Sequence, residues 1–205
     1  MREGLKSFLL ILLIFSFCGC ATPIMQNPSD HYAQSARGFM AAGDWKKALE
    51  PAKHAVLSAD SANINQEKRA VAHYEYGRAL GVTCSFKESE SEFKIAYELD
   101  KQSKQPLFLS LTELARLNLD QGKYKEASEY FEKTIDEIRK VKAEVGAPTA
   151  FAEILNEYAT ALEKTGNKKK SAAARNEAST ILKNNPKGLS ITDRTPYGKH
   201  CFSKK

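Results

Sequence analysis

The sequence predicts an all-α solenoid of about four stacked helical hairpins. Small residues recur at fixed offsets in four segments, as expected where the two helices of a hairpin approach closely. In three segments an aromatic ring follows the first small residue at position nine, where it would fill the space between hairpins. The period-two alternation typical of strands is absent. The repeated positions are Ala36, Gly77, Ala115 and Ala159; then Trp45, Phe86, Tyr124 and Lys168; then Ala48, Ser89, Ala127 and Ser171; and finally Ala55, Ala96, Thr134 and Ala178.

The turns inside the predicted hairpins carry a second repeated signal. Gly43, Gly122 and Gly166 lie seven residues after the first small residue of their segments. Glycine tolerates the left-handed conformation that ends a helix and reverses the chain. The second segment has Cys84 at this position, so we expect Cys84 on a hairpin turn.

Capping residues and prolines indicate where individual helices begin and end. Asp30 is a candidate cap for the first helix, and Pro106 and Pro148 suit the starts of the third and fourth hairpins. Pro186 suits the end of the last helix. Pro51 falls inside the second helix, where it removes one backbone hydrogen bond. We expect a kink there rather than a break, since the apolar stripe continues beyond it.

The third segment reads Leu114-Ala115-x-Leu117-x-x-x-Gln121-Gly122-Lys123-Tyr124-x-Glu126-Ala127, and the first contains Gly43-Asp44-Trp45-x-x-Ala48. These residues resemble the tetratricopeptide (TPR) family. The first small residues are 41, 38 and 44 positions apart, which resembles the longer-helix variety found in kinesin light chains. The resemblance implies a right-handed solenoid over residues 29–186 that binds other proteins. The fourth segment departs from the pattern at Lys168 and Arg175, as a terminal repeat with a polar outer face would.

The N-terminus predicts a lipoprotein signal peptide over residues 1–19. Arg2 and Lys6 precede an apolar run over residues 8–17, which is too short for a permanent membrane span. The following Phe17-Cys18-Gly19-Cys20-Ala21 resembles the bacterial lipobox, in which the cysteine after a small residue is acylated.

The lipobox resemblance implies a covalent lipid on Cys20 and a short tether over residues 20–28. Cys18 fits less well because Phe17 would then fill the small position. An ordinary secretory signal is the alternative. Ala21, a residue other than Asp after the cysteine, implies sorting to the outer membrane with the chain facing the periplasm. No cofactor is expected apart from this lipid.

Positive charge is concentrated near the C-terminus. Residues 163–205 contain eleven Lys or Arg and three acidic residues, within a chain of net charge +6. Residues 187–205 show no periodicity and are predicted to be a basic, disordered and mobile tail. In the periplasm nucleic acid is not an available partner. The candidate partners of this basic part are therefore anionic headgroups or the acidic face of another protein. Lys168, Lys169 and Lys170 have two interpretations: they form an edge that binds anions, or they only keep the outer face of a terminal repeat exposed to water.

The chain offers little for catalysis. Its four histidines are scattered, and the mature part has no Cys-x-x-Cys pair and no glycine-rich phosphate loop. We therefore expect neither an enzyme nor a metal site.

A ligand groove is predicted on the first helices of the hairpins, because in TPR proteins these helices line the concave face. Arginines that follow the small residue in successive repeats would offer guanidinium forks to carboxylates of an extended peptide. The alternative is an intrahelical ion pair, since Glu75 and Glu113 stand three residues before two of these arginines. The candidate groove residues are Arg37, Met40, Tyr74, Arg78, Arg116 and Asn156.

Two cysteines remain in the mature chain beside the acylated one. Cys84 on its turn and Cys201 in the tail are a candidate disulfide, because an oxidising compartment favours pairing. Two independent thiols are the alternative.

Together these features predict a membrane-anchored periplasmic scaffold or adaptor with protein partners in the bacterial envelope. By resemblance, its setting would be assembly of an envelope machine, such as a pilus, a secretion apparatus or the insertion of barrel proteins. The alternative function is envelope binding, in which the basic C-terminal part grips anionic lipid or polysaccharide.

Overall fold

The computed structural model describes residues 27–186, 188, 194–199 and 201. Helices are the regular structure of this described part, and eight long helices form four hairpins. A single-turn helix separates the third hairpin from the fourth. The helices are α1 Pro28–Ala41, α2 Trp45–Ser61, α3 Gln66–Val82, α4 Phe86–Gln102, α5 Phe108–Asp120, α6 Tyr124–Lys140, α7 Ala143–Gly146, α8 Pro148–Lys164 and α9 Lys168–Asn184.

The hairpins stack into the predicted right-handed solenoid. In each hairpin the two helices pack against each other: α1 with α2, α3 with α4, α5 with α6, and α8 with α9. The first helices also contact one another in succession, from α1 to α3, α5 and α8. These four helices form the concave face, so side chains on them are the ones placed to meet a ligand.

The repeated small residues lie where their spacing predicted. All twelve of the small positions are buried, and most have no exposed surface. Two serines among them also bond across the hairpin: the Ser89 hydroxyl donates to the Gly77 carbonyl at 2.7 Å, and the Ser171 hydroxyl donates to the Ala159 carbonyl at 2.8 Å. A larger side chain at these positions would push the two helices of a hairpin apart.

Two phenylalanines fill the centres of the successive hairpins. Phe93 on α4 and Phe131 on α6 are fully buried and lie sixteen residues after Gly77 and Ala115. Phe93 lies so close to Gly77 that a Cβ there would be 2.9 Å from its ring. The apolar cluster that includes Phe93 extends from the first hairpin to the third, whereas Phe131 belongs to a second cluster that it shares with the fourth hairpin.

The turns inside the hairpins lie where the sequence predicted, and at one of them Cys84 adopts a conformation that favours glycine. Gly43, Gly122 and Gly166 have φ angles of 75°, 74° and 80°, and Cys84 takes the same left-handed conformation at 79°. A residue with a Cβ loses roughly 1–2 kcal/mol there. A cysteine held at a glycine position suggests that its sulfur has a role.

Local details differ from the sequence prediction at two places. Asn27, not Asp30, caps α1, because its side chain accepts the Ser29 amide. Pro51 is not one of them, since α2 continues past it without a break, as expected. The helix α7 was not predicted; it follows Lys142, whose left-handed φ of 56° starts a new turn.

The predicted signal peptide, and the tether as far as residue 26, lie outside the described residues, so Cys20 is not placed. None of the described helices is both long enough and apolar enough to cross a membrane.

The prediction of a mobile tail over residues 187–205 is wrong for the part that the structure describes. Thr195 is fully buried, Tyr197 is 5% exposed, and Cys201 is bonded to Cys84. The prediction failed because the segment has no helical periodicity, although its side chains fit pockets on the solenoid.

Candidate functional site

The concave face holds part of the chain itself. We call residues 194–201 the C-terminal segment; the structure describes all of them except residue 200. The segment lies against α3, α5 and α8, and its end is fixed by the disulfide between Cys84 and Cys201. The two cysteines are 117 positions apart in sequence, with their Cα atoms 5.5 Å apart. Of the two alternatives for these cysteines, the structure has the disulfide.

Arg194 begins the segment and lies in an acidic pocket. Its guanidinium donates to both carboxylate oxygens of Asp120, at 2.7 and 3.0 Å. Its Nε donates to the Glu157 carboxylate at 2.6 Å. Asp120 ends α5 and Glu157 lies on α8, so one arginine joins two neighbouring hairpins. The paired contacts to Asp120 are the planar, bidentate geometry that only a guanidinium can make.

Thr195 and Tyr197 continue the segment towards α3. The Thr195 hydroxyl accepts from Nε of Arg78 at 2.8 Å. The Tyr197 hydroxyl donates to the Glu113 carboxylate. Burial raises the pKa of the Tyr197 phenol well above its ordinary value and Glu113 raises it further, so this group remains a donor at neutral pH.

The Tyr197 ring occupies a slot that a glycine on α3 makes possible. The ring meets Phe93 edge to face, with centroids 6.2 Å apart. A Cβ added at Gly81 would be 2.5 Å from the Tyr197 ring, so any other residue at this position would displace it. The Gly198 amide also donates to the Gly81 carbonyl at 3.4 Å. The absence of a side chain at Gly81 therefore lets both the Tyr197 ring and the backbone at Gly198 approach α3.

Beneath the segment lies a buried network of charges. Arg116 donates to Glu157 at 2.8 Å and lies 3.4 Å from Glu113, and the side chains of Arg116 and Glu113 are each 3% exposed. Burial lowers the pKa of Arg116, but Glu157 and Glu113 raise it more strongly, so its pKa lies above the ordinary value and it stays charged. Arg78 pairs with Glu75 at 3.2 Å and stacks over the Trp45 ring.

The walls that receive the segment are acidic overall. Two wall cations, Arg78 and Arg116, face four wall carboxylates, a formal difference of −2 before Arg194 is counted. The carboxylates are Glu75, Glu113, Asp120 and Glu157. Arg194 supplies one compensating charge, which explains why a guanidinium lies in this groove.

An apolar cavity of about 450 Å³ opens beside the segment on the same face. Its walls come mainly from α5 and α8, including Phe108, Leu109, Phe151 and Ile154, while Tyr74 contributes from α3. The buried charges Glu113 and Arg116 also line it, so the cavity and the segment share one polar boundary. None of the described residues of the segment lines this cavity.

The structure brings only part of the predicted groove together. Tyr74, Arg78 and Arg116 line the cavity. Arg37 is exposed and lines a different depression, of about 240 Å³, between α1 and α3. Met40 is not in the groove; it is 7% exposed and packs in the core beside Trp45.

Asn156 is half-buried on α8 and does not line the cavity. Its carbonyl accepts the Thr160 hydroxyl at 2.9 Å. The ion pairs with Glu75 and Glu113, which were the alternative interpretation of the arginines, are both present.

Sequence reasoning missed the residues that hold the segment. Asp120, Glu157, Gly81, Thr195 and Tyr197 were not among the candidates. The available signals were Cys84 at a glycine position and Gly81 four residues after Gly77 inside one helix, because both indicate a close approach of other backbone or side chains.

No group of three or more His, Cys, Asp and Glu side chains in the described part of the chain could hold a metal ion. The groove offers hydrogen-bonding groups, charges and apolar surface to the segment that occupies it.

No protein-family model matches the chain, and no curated protein matches it either. Solved structures do resemble it. BtubC (BKLC) from P. vanneervenii superposes with a TM-score of 0.73 at 15% identity, covering 82% of this chain and 70% of the other. A kinesin light chain candidate from Podosopora anserina with nearly identical TPR-like repeats gives 0.62 at 18% identity, covering 80% of each chain.

Aspartyl phosphate phosphatase F from Bacillus subtilis is a third similar structure. Its TM-score is 0.71 at 12% identity, over 80% of this chain but only 43% of the phosphatase. At these identities the similarity shows the fold, which is that of TPR-like repeat proteins, with neighbours that include a kinesin light chain-like protein.

Proposed function

We propose that this chain is a lipid-anchored adaptor that binds a protein partner at the periplasmic face of the bacterial outer membrane. The observation that supports binding is the occupied groove, in which a short segment containing turns fills separate sites for a guanidinium, a hydroxyl and a phenol. Capture of a short peptide by pockets for its individual side chains is a general mode of recognition. Assembly of an envelope machine is the proposed setting, by the resemblance of the sequence alone.

The proposed anchor is a lipid on Cys20. Seven residues separate Cys20 from the start of α1 at Pro28. At full extension they reach roughly 23–25 Å, so the first hairpin would stay close to the bilayer. A partner held in the groove would then be held near the membrane surface.

Envelope binding by the basic C-terminal part is less well supported. Several of its cations are already paired within the fold: Arg194 with Asp120 and Glu157, Lys170 with Glu132 at 3.1 Å, and Arg175 with Glu163 at 2.5 Å. Paired cations attract anionic headgroups less strongly than free ones.

Photo-crosslinking in bacterial cells tests the adaptor function with matched positions. Leu109 is 51% exposed and lines the cavity, whereas Leu57 is 54% exposed on α2 and lies outside it. A photoreactive phenylalanine analogue at position 109 of the full-length chain should capture a protein partner, and the same analogue at position 57 should not. The complex should survive ~0.5 M salt applied before irradiation. Salt screens binding of exposed lysines to lipid headgroups more than it weakens a packed protein interface.

The same cells test the anchor. Wild type should incorporate labelled palmitate, and Cys20→Ser should remain an unlabelled, uncleaved precursor. Cys18→Ser is the matched control and should keep the label. Palmitate on the Cys20→Ser protein would refute the anchor, and equal capture from positions 57 and 109 would refute the groove as the adaptor surface.

A further inference from the structure

The C-terminal segment reveals the chemistry of the partner. We infer that the groove recognises protein segments with a guanidinium three residues before a phenol, and that the chain's own Arg194 and Tyr197 hold this surface until such a partner replaces them. The inference rests on the proposed adaptor function and specifies its partner.

The acidic pocket formed by Asp120 and Glu157 determines the first residue that a partner segment needs. Asp120 and Glu157 accept three hydrogen bonds from the one guanidinium of Arg194, at 2.6 to 3.0 Å. A lysine would offer a point charge without the fork that fits Asp120. The pocket therefore selects arginine.

The slot at Gly81 determines the second residue that a partner segment needs. It holds the Tyr197 ring against Phe93, and at its closed end Glu113 accepts the hydroxyl. A phenylalanine would fill the same slot but would leave the Glu113 carboxylate without that donor, which is costly for a buried charge. The slot therefore selects tyrosine.

The same contacts argue against the acidic peptide that the sequence had suggested. Arg78 and Arg116 are engaged by Glu75, Glu113 and Glu157, so their charges are compensated inside the walls. A carboxylate entering the groove would meet walls that already carry a formal excess of negative charge. Like charges at short range oppose binding.

Competition with the tethered segment sets the affinity that a partner needs. The segment is held at one end by its connection to α9 and at the other by the disulfide to Cys84. Such a tether gives an effective concentration on the order of millimolar. A partner that also places a large apolar side chain in the 450 Å³ cavity makes contacts that the described segment does not make. This extra burial is the means by which it displaces the segment.

A labelled synthetic peptide of residues 194–201, with serine at position 201, is the probe. It is titrated into three full-length mature proteins: oxidised wild type, the Cys84→Ser/Cys201→Ser variant, and that variant with Arg194→Ala and Tyr197→Ala added. We expect the third protein to bind at least about tenfold more tightly than oxidised wild type, with the double cysteine variant between them. Circular dichroism confirms that each protein keeps its helices.

Three altered peptides test specificity on the same proteins. Replacing the peptide's arginine by lysine or aspartate, or its tyrosine by phenylalanine, should each weaken binding by about tenfold or more. Equal binding of the aspartate peptide, or equal binding by all three proteins, would overturn the inference. So would concentration-dependent dimerisation of the double cysteine variant, because a second copy would then be the occupant.

Loss of helices in the variant with four substitutions would also overturn the inference, because the segment would then be part of the core. Peptide binding without photo-crosslinking in cells would refute the adaptor function while leaving the chemistry of the groove intact.

Discussion

Replacing Cys201 with serine should lower the free energy of unfolding by about 4–5 kcal/mol, although the residue is only half-buried. The disulfide closes a loop that spans 117 positions and contains α4 and the whole third and fourth hairpins. Without it the unfolded chain gains the entropy that the loop removed, and the C-terminal segment loses one of its two attachments. Urea denaturation of the full mature chain, with and without reductant, measures the loss.

Cys84→Gly is the matched control for the same bond. It also removes the disulfide, but it places glycine at a φ of 79° and relieves roughly 1–2 kcal/mol of backbone strain. It should therefore be more stable than Cys201→Ser by about that amount. Reductant should destabilise wild type and leave both variants unchanged. Equal stability of oxidised wild type and Cys201→Ser would show that the bond does not form.

Arg116→Ala should destabilise the fold by about 3–5 kcal/mol, the expected cost of breaking a buried ion pair from one side. Its side chain is 3% exposed and contacts two carboxylates, on α5 and on α8. Without it, the Glu113 carboxylate stays buried with the Tyr197 hydroxyl as its remaining donor among the hydrogen bonds described above. The third and fourth hairpins also lose one of the two arginines that join them, and Arg194 remains as the other.

Arg37→Ala is the control, since the sequence predicted Arg37 to be the equivalent groove arginine of the first repeat. Arg37 is exposed, so its loss should change stability by less than about 0.5 kcal/mol. A loss below about 1 kcal/mol for Arg116→Ala in urea denaturation would mean that the network is solvated rather than buried. The two variants thus separate a structural arginine from a surface one.

The solenoid could be predicted from the sequence because its causes are local and repeated. Ala36 and Gly77 are small since two helices cross there, and the same requirement returns at Ala115 and Ala159. One segment alone would have been ambiguous, whereas four aligned segments were not. The turn glycines had the same advantage.

The groove could be predicted only in part because its contacts join distant positions once. Arg78 and Arg116 were found through their place in the repeat, but nothing periodic connects Glu157 with Arg194 or Glu113 with Tyr197. The C-terminal segment has no helical pattern and was therefore interpreted as mobile. Its order comes from side-chain pockets and one disulfide, which composition does not reveal.

Arg37 shows the opposite error. It matches Arg78 and Arg116 in repeat position, but Gln34 stands three residues before it where the other two have a glutamate, and its side chain is exposed. Equivalence in sequence did not produce equivalence in environment, because the environment of a repeat residue includes its neighbours on both sides.

A double-mutant cycle on Tyr197→Phe and Glu113→Gln tests most directly whether the C-terminal segment lies in the groove. The two residues are 84 positions apart and meet only if Tyr197 occupies the slot on the concave face. Urea denaturation of the oxidised full mature chain gives the four unfolding free energies. A coupling energy of about 1.5–3 kcal/mol, as for a hydrogen bond to a charged group, is the predicted result. Additivity of the two substitutions within about 0.5 kcal/mol would contradict it.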